Sequence, residues 1–89
     1  MKVTATKSFI KQIRLLPKNY KLRIDGYVVL MNNAKNLHEL PFIEEMKGYK
    51  NYYKIRVGYL RVGLHTTDND TQIVLDCVLP RGDVYKYFP

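Results

Sequence analysis

The sequence predicts an α+β protein in the order β-α-α-β-β-β, with a helical hairpin packed on a small, twisted, mainly antiparallel sheet. Three observations carry that expectation. Residues 53–64 alternate apolar and polar about Gly58-Tyr59, as a β-hairpin does. Residues 7–32 place apolar side chains near helical spacing on both sides of Pro17. Residues 71–79 are apolar and β-branched and stop at Pro80, as a well-buried strand does.

The elements follow in order. Lys2-Val3-Thr4-Ala5 reads as a short opening strand. Thr6 or Ser8 can cap the helix that follows, near residues 7–16, where Phe9, Ile10, Ile13 and Leu16 face inward and Lys7, Lys11 and Arg14 outward. Leu16-Pro17 breaks it, and Pro17 suits the first turn of a second helix near 18–32. Gly26 inside that helix costs propensity or allows close packing. Residues 34–51 show no clear period. They read as a connector pinned by Leu37, Leu40, Pro41, Phe42 and Ile43, with Glu39, Glu44 and Glu45 in a solvated acidic loop. Asp68-Asn69-Asp70 signals a turn after the hairpin. Arg81 to Pro89 is a tail with room for one helical turn, mobile by default because it is terminal.

The hairpin carries a conflict. Gly58-Tyr59 fits a two-residue turn with glycine first. That loop pairs Val57 with Leu60, Arg56 with Arg61, Ile55 with Val62 and Lys54 with Gly63. All the apolar residues then share one face, while Lys54, Arg56 and Arg61 share the other. Like charges directly opposite in a sheet are destabilising, and such conflicts concentrate at functional sites. A solvated basic face and a concentrated site for a polyanion both remain open. Asp76 would face Arg61 if Asp68-Asn69 formed a two-residue turn, and would not with a longer one.

Composition narrows the partners. The chain has 89 residues, enough for one domain over residues 1–89 and one core. No apolar run approaches the roughly 18 residues of a membrane span. A cytoplasmic location without membrane association is expected. A single cysteine excludes an internal disulfide and a multi-cysteine metal site, and Cys77 sits in an apolar run that suits a buried, inert thiol. The net charge of +7 calls for an anionic partner such as nucleic acid, ribosome, membrane surface or acidic protein. Eight tyrosines among lysines and arginines suit stacking on bases.

The chemistry is limited to a few groups. His38 and His65 are far apart, no His/Cys/Asp/Glu set has metal-ligand spacing, and no cofactor motif is present. His65 continues the phase of Arg61 and Gly63, so it flanks the basic face, with no orienting acid evident. RNA can be cut through its own 2′-OH without metal. Arginine forks match phosphate oxygens. Lys54 is the one residue of the cluster able to act as a base, since like charge on Arg56 and Arg61 favours its neutral form. Arg56, Arg61 and Arg81 read as charge stabilisers, and a nearby tyrosine could orient or exchange a proton.

Tyr52-Tyr53-Lys54-Ile55-Arg56-Val57-Gly58, then Arg61-Val62, then Arg81-Gly82-Asp83-Val84-Tyr85 and Phe88-Pro89, resemble the RelE branch of the RelE/ParE toxin superfamily. The segment from Leu40 to Gly48, ending Met46-Lys47-Gly48, resembles the family's approach to the hairpin. The match covers nearly the whole chain. It implies a RelE-like fold and the toxin of a type II toxin–antitoxin pair, an endoribonuclease that cuts mRNA in the ribosomal A site. It also implies a RelB-like antitoxin that covers or displaces the tail in a toxin–antitoxin hetero-oligomer. The family's catalytic positions match Lys54, Arg56, Arg61, Arg81 and Tyr85, and Tyr52, His65, Lys86 and Tyr87 are expected to contact RNA. Leu60 and Pro80 depart from the family pattern, and Tyr87 is the alternative to Tyr85. A ParE-like inhibitor of DNA gyrase and a non-catalytic RNA- or ribosome-binding module are the competing readings on the same fold.

Overall fold

A computed structural model describes residues 1–89. In chain order its elements are β1 (Lys2–Ala5), α1 (Lys7–Arg14), α2 (Lys18–Asn33), a 3-10 turn (Leu37–Glu39), β2 (Ile43–Glu45), β3 (Tyr52–Val57), β4 (Leu60–Thr67), β5 (Gln72–Pro80) and α3 (Val84–Tyr87). The five strands form one sheet in the order β1-β5-β4-β3-β2. Strand β1 runs parallel to β5, and every other neighbouring pair is antiparallel. No helix is long and apolar enough to cross a membrane.

The hairpin of β3 and β4 has the register that its alternation dictates, with Arg56 opposite Arg61 and Lys54 opposite Gly63. Of the two turn residues, only Gly58 has a positive φ, 60°, as a glycine-first turn requires. Thr6 caps α1 by accepting a hydrogen bond from the Phe9 amide at 3.1 Å, whereas Ser8 lies inside the helix. Pro17 stands just ahead of α2 rather than within its first turn. Nothing lies within 4 Å of the place a Gly26 side chain would take. Gly26 therefore does not serve close packing.

Residues 34–51 are more than a connector. Ile43, Glu44 and Glu45 form the edge strand β2, opposite Ile55, Lys54 and Tyr53. Three residues are too few for alternation to register in the sequence. Charged side chains on so short an edge also discourage pairing with another chain.

The sheet has two differently covered faces. On one, Phe9 of α1 and Ile24 and Met31 of α2 pack against Ile55, Val62 and Leu64 in the main core. The other face carries a smaller cluster of Met46, Cys77, Val84 and Phe88, joined by Tyr52 and Leu79. The tail is thus docked, not loose: Val84 is fully buried and Phe88 nearly so. Gly63 makes the docking possible. A side chain there would come within 2.7 Å of the Phe88 ring and 2.8 Å of the Cys77 sulfur.

Strand β5 serves both faces through a bulge. Gly63 pairs with Cys77 but Leu64 with Leu75, which leaves Asp76 as the extra residue. An unbroken ladder would set Asp76 against Leu64, inside the main core. Helix α1 secures the bulge. The Thr6 hydroxyl donates to the Asp76 carbonyl at 2.9 Å, and the Val78 amide donates to the Gln12 side chain at 2.7 Å. The β4–β5 connection is a four-residue loop, Asp68 to Thr71, with Asp68, Asn69 and Asp70 all at positive φ. Asn and Asp tolerate that conformation better than most residues. With this loop and the bulge, Arg61 faces Leu79 and not Asp76.

Burial pushes the Cys77 thiol up to about 11 from an ordinary 9.0. Above pH 9 the unfolded thiol ionises while the folded one keeps its proton, so stability is lost as pH rises towards about 11. In urea unfolding across that window, Cys77→Ala is expected to remove a pH-dependent loss of about 2 kcal/mol. Thiol reagents at pH 8 should label Cys77 only after unfolding.

Candidate active site

Three strands and the tail bring the basic residues together. Lys54 and Arg56 project from β3, and Arg61 from β4, onto the face that the long helices leave free. Arg81 follows β5 directly, and its amide donates to the Tyr59 carbonyl at 2.9 Å, which ties the start of the tail to the hairpin turn. Tyr85 comes from α3. Lys54, Arg56, Arg61, Arg81 and Tyr85, with Gly82, line an open cleft of about 440 Å³. All five residues nominated as catalytic thus meet in one place.

The Lys54 ammonium donates to the Tyr85 hydroxyl and lies 4.5 Å from the centre of its ring. A cation over an aromatic face is attracted by the ring's quadrupole. The contact links β3 to the tail across the cleft.

The cross-strand arginines are kept apart by separate partners. Arg56 Nε pairs with Glu44 Oε1 at 2.9 Å. Arg61 Nη1 donates to the Gly58 and Leu60 carbonyls at 2.7 and 2.9 Å, bracing the turn. Sequence reasoning put Glu44 in a solvated loop. Its place on β2 opposite Lys54 makes it the acidic member of the cluster. The signal was weak, the apolar pair Phe42-Ile43 ahead of two acids. The Arg56–Glu44 pair is exposed, so it contributes little to stability.

The four residues expected to contact RNA lie outside the cleft lining. Tyr52 and His65 face each other across β3 and β4, their rings 5.5 Å apart. Lys86 and Tyr87 are exposed on α3. His65 has the orienting acid that the sequence did not reveal: its Nδ1 lies 2.6 Å from Asp76 Oδ2. The bulge places Asp76 there. Burial pushes the Asp76 carboxyl above the usual carboxylate range, while the hydrogen bond from His65 and its charge draw it back.

A small basic α+β domain that offers four cations and a tyrosine to an anionic ligand is the class these features define. Comparison with known proteins makes it specific. No family model matches the sequence. The toxin RelE3 of Methanocaldococcus jannaschii is 38% identical over 90 residues, covering the whole of both chains. The toxin in a RelB–RelE antitoxin–toxin complex from Methanococcus jannaschii is 35% identical, with a TM-score of 0.77 over 97% of this chain and 99% of that one. An archaeal RelE–RelB complex from Pyrococcus horikoshii OT3 contains a similar fold at 23% identity, with a TM-score of 0.73 over 91% of this chain and 94% of that one. The chain belongs to the RelE toxin family.

Removing the one acid of the cluster should strengthen anion binding. Glu44→Gln releases Arg56 and raises the net charge by one. Filter binding of a short RNA is expected to tighten severalfold, with the slope of log affinity against log salt steeper by about 0.7. An unchanged affinity and slope would place the bound RNA away from Arg56.

Proposed function

We propose that this toxin is an endoribonuclease that cuts translated mRNA in the ribosomal A site, through attack of the RNA's own 2′-OH and without metal. The observation that carries the reading is the meeting of Lys54, Arg56, Arg61, Arg81 and Tyr85 in one open cleft, with Lys54 hydrogen-bonded to Tyr85. Lys54 accepts the 2′ proton as the 2′-oxygen attacks phosphorus. Arg56, Arg61 and Arg81 hold the charge that gathers on the phosphorane oxygens. The bond to the 5′-oxygen breaks, and the Tyr85 hydroxyl protonates that oxygen while recovering a proton from Lys54. Both side chains end as they began, and the products are a 2′,3′-cyclic phosphate and a 5′-hydroxyl. Tyr52, His65, Lys86 and Tyr87 extend the contact with RNA beyond the cleft.

A RelB-like antitoxin is the proposed partner, in a toxin–antitoxin hetero-oligomer. Support comes from the 35% identical relative, which is seen in a RelB–RelE complex. The tail and the basic face are the surfaces such a partner would cover to silence the cleft. The ribosome and mRNA are the proposed targets, consistent with a net charge of +7.

Mapping of mRNA 5′ ends on programmed ribosomes tests the reading. Wild-type protein should cut within the A-site codon, with chelators having no effect. Lys54→Ala and Tyr85→Phe should each slow cleavage by about 10²-fold or more at unchanged melting temperature. Full activity in both variants would refute the proposed chemistry. Gyrase-dependent DNA breaks with intact mRNA would support the ParE-like alternative instead.

A further inference from the structure

The cleft exists only while the tail is docked, because Tyr85 comes from α3 and the cations from strands or a strand end. The contacts that hold the tail form a chain. Phe88 occupies the space that Gly63 leaves over β4. The ring of Tyr52 meets Phe88 edge-on at 5.6 Å. Tyr52 also lies against His65, with ring centres 5.5 Å apart and a tilt of 33°. Asp76 fixes His65 at 2.6 Å, and the Thr6 hydroxyl fixes the backbone of Asp76 at 2.9 Å. His65 and Asp76 side chains are only 27% and 18% exposed. A carboxylate placed there carries a desolvation cost that an apolar residue would not. The bulge places Asp76 within reach of His65 and outside the main core.

We propose that Asp76 and His65 are positioning residues for the tail: the pair fixes the Tyr52 ring, which seats Phe88 and holds α3 with the Tyr85 hydroxyl on Lys54. Neither residue lines the cleft. Their effect on cleavage rests on the ribonuclease reading above, whereas their effect on the tail does not. The Nδ1 of His65 can donate to a carboxylate or an amide oxygen alike, so asparagine can replace Asp76 and alanine cannot.

Two readouts on the purified full chain separate the questions. The first is amide hydrogen exchange at Tyr87 and Phe88, whose N–H groups bond to the Asp83 and Val84 carbonyls at 3.0 Å. The amides of Val62 and Leu64 on β4 report global folding. The second is cleavage on programmed ribosomes, resolved into kcat and KM. Asp76→Ala should speed tail exchange about tenfold with β4 exchange unchanged. It should lower kcat about tenfold and also raise KM, because Tyr85 and the RNA contacts Lys86 and Tyr87 ride on the same segment. Asp76→Asn should restore most of both.

Wild-type tail exchange in the alanine variant would overturn the proposal, as would an asparagine variant no better than alanine. If Asp76→Ala also loosens β4, Tyr52→Leu asks the same question at the ring, and unchanged tail exchange there overturns it. A wild-type protein that does not cut mRNA would refute the ribonuclease reading, while the exchange data still decide the role of the pair.

Discussion

One extra residue in β5 sets the phase of everything on both sides of the sheet. Before it, Ile73 and Leu75 face the main core; after it, Val78 does. Between them Cys77 faces the second cluster, opposite Gly63. Without the bulge, the strand could not put Leu75 and Val78 in the main core together, since they are three positions apart and a strand alternates every two. The interrupted ladder leaves backbone groups to be satisfied, and α1 supplies the partners through Thr6 and Gln12. The first helix thus acts on the far face of the sheet as well as on its own. Bulges are frequent next to functional sites because they re-aim a side chain, and here the re-aimed side chain is Asp76.

The basic cluster is a standing electrostatic cost that the fold distributes. Arg56 and Arg61 are opposite in register yet aim their guanidinium groups at different partners, a carboxylate on the edge strand and the carbonyls of the hairpin turn. Lys54 is directed instead to the Tyr85 hydroxyl and ring. In water each of these contacts is individually weak. Together they separate the cations without removing any of them from the cleft.

Legibility in the sequence followed the length and contrast of each segment. The hairpin could be read to the residue, since five-residue alternation on both sides of Gly58-Tyr59 admits one register. Its basic face followed from that register. The three residues of β2 were too few for a period to show, so Glu44 went unrecognised as a member of the cluster. The bulge was hidden for a different reason. Residues 73–79 are apolar except for Asp76, so parity along the strand is masked, and a strand buried on both faces shows no alternation. Two differences from the sequence expectation follow from that masked phase: Arg61 faces Leu79 and not Asp76, and His65 has Asp76 as its acid. The docking of the tail was equally invisible, because a glycine in a strand does not announce which distant ring fills its space.

That docking joins stability and site assembly in a particular way. The main core is built by two helices and three strands. The second cluster is small, and half of its four buried residues belong to the last six of the chain. Local opening of such a terminal segment costs less than global unfolding. The tyrosine of the cleft is therefore carried by the terminal segment, and Lys54, Arg56 and Arg61 by the hairpin strands that build the main core. A partner that competes for the position of Phe88 would dismantle the cleft without unfolding the sheet or neutralising a single arginine. Lys54, Arg56 and Arg61 would remain in place on the hairpin, ready when the tail returns.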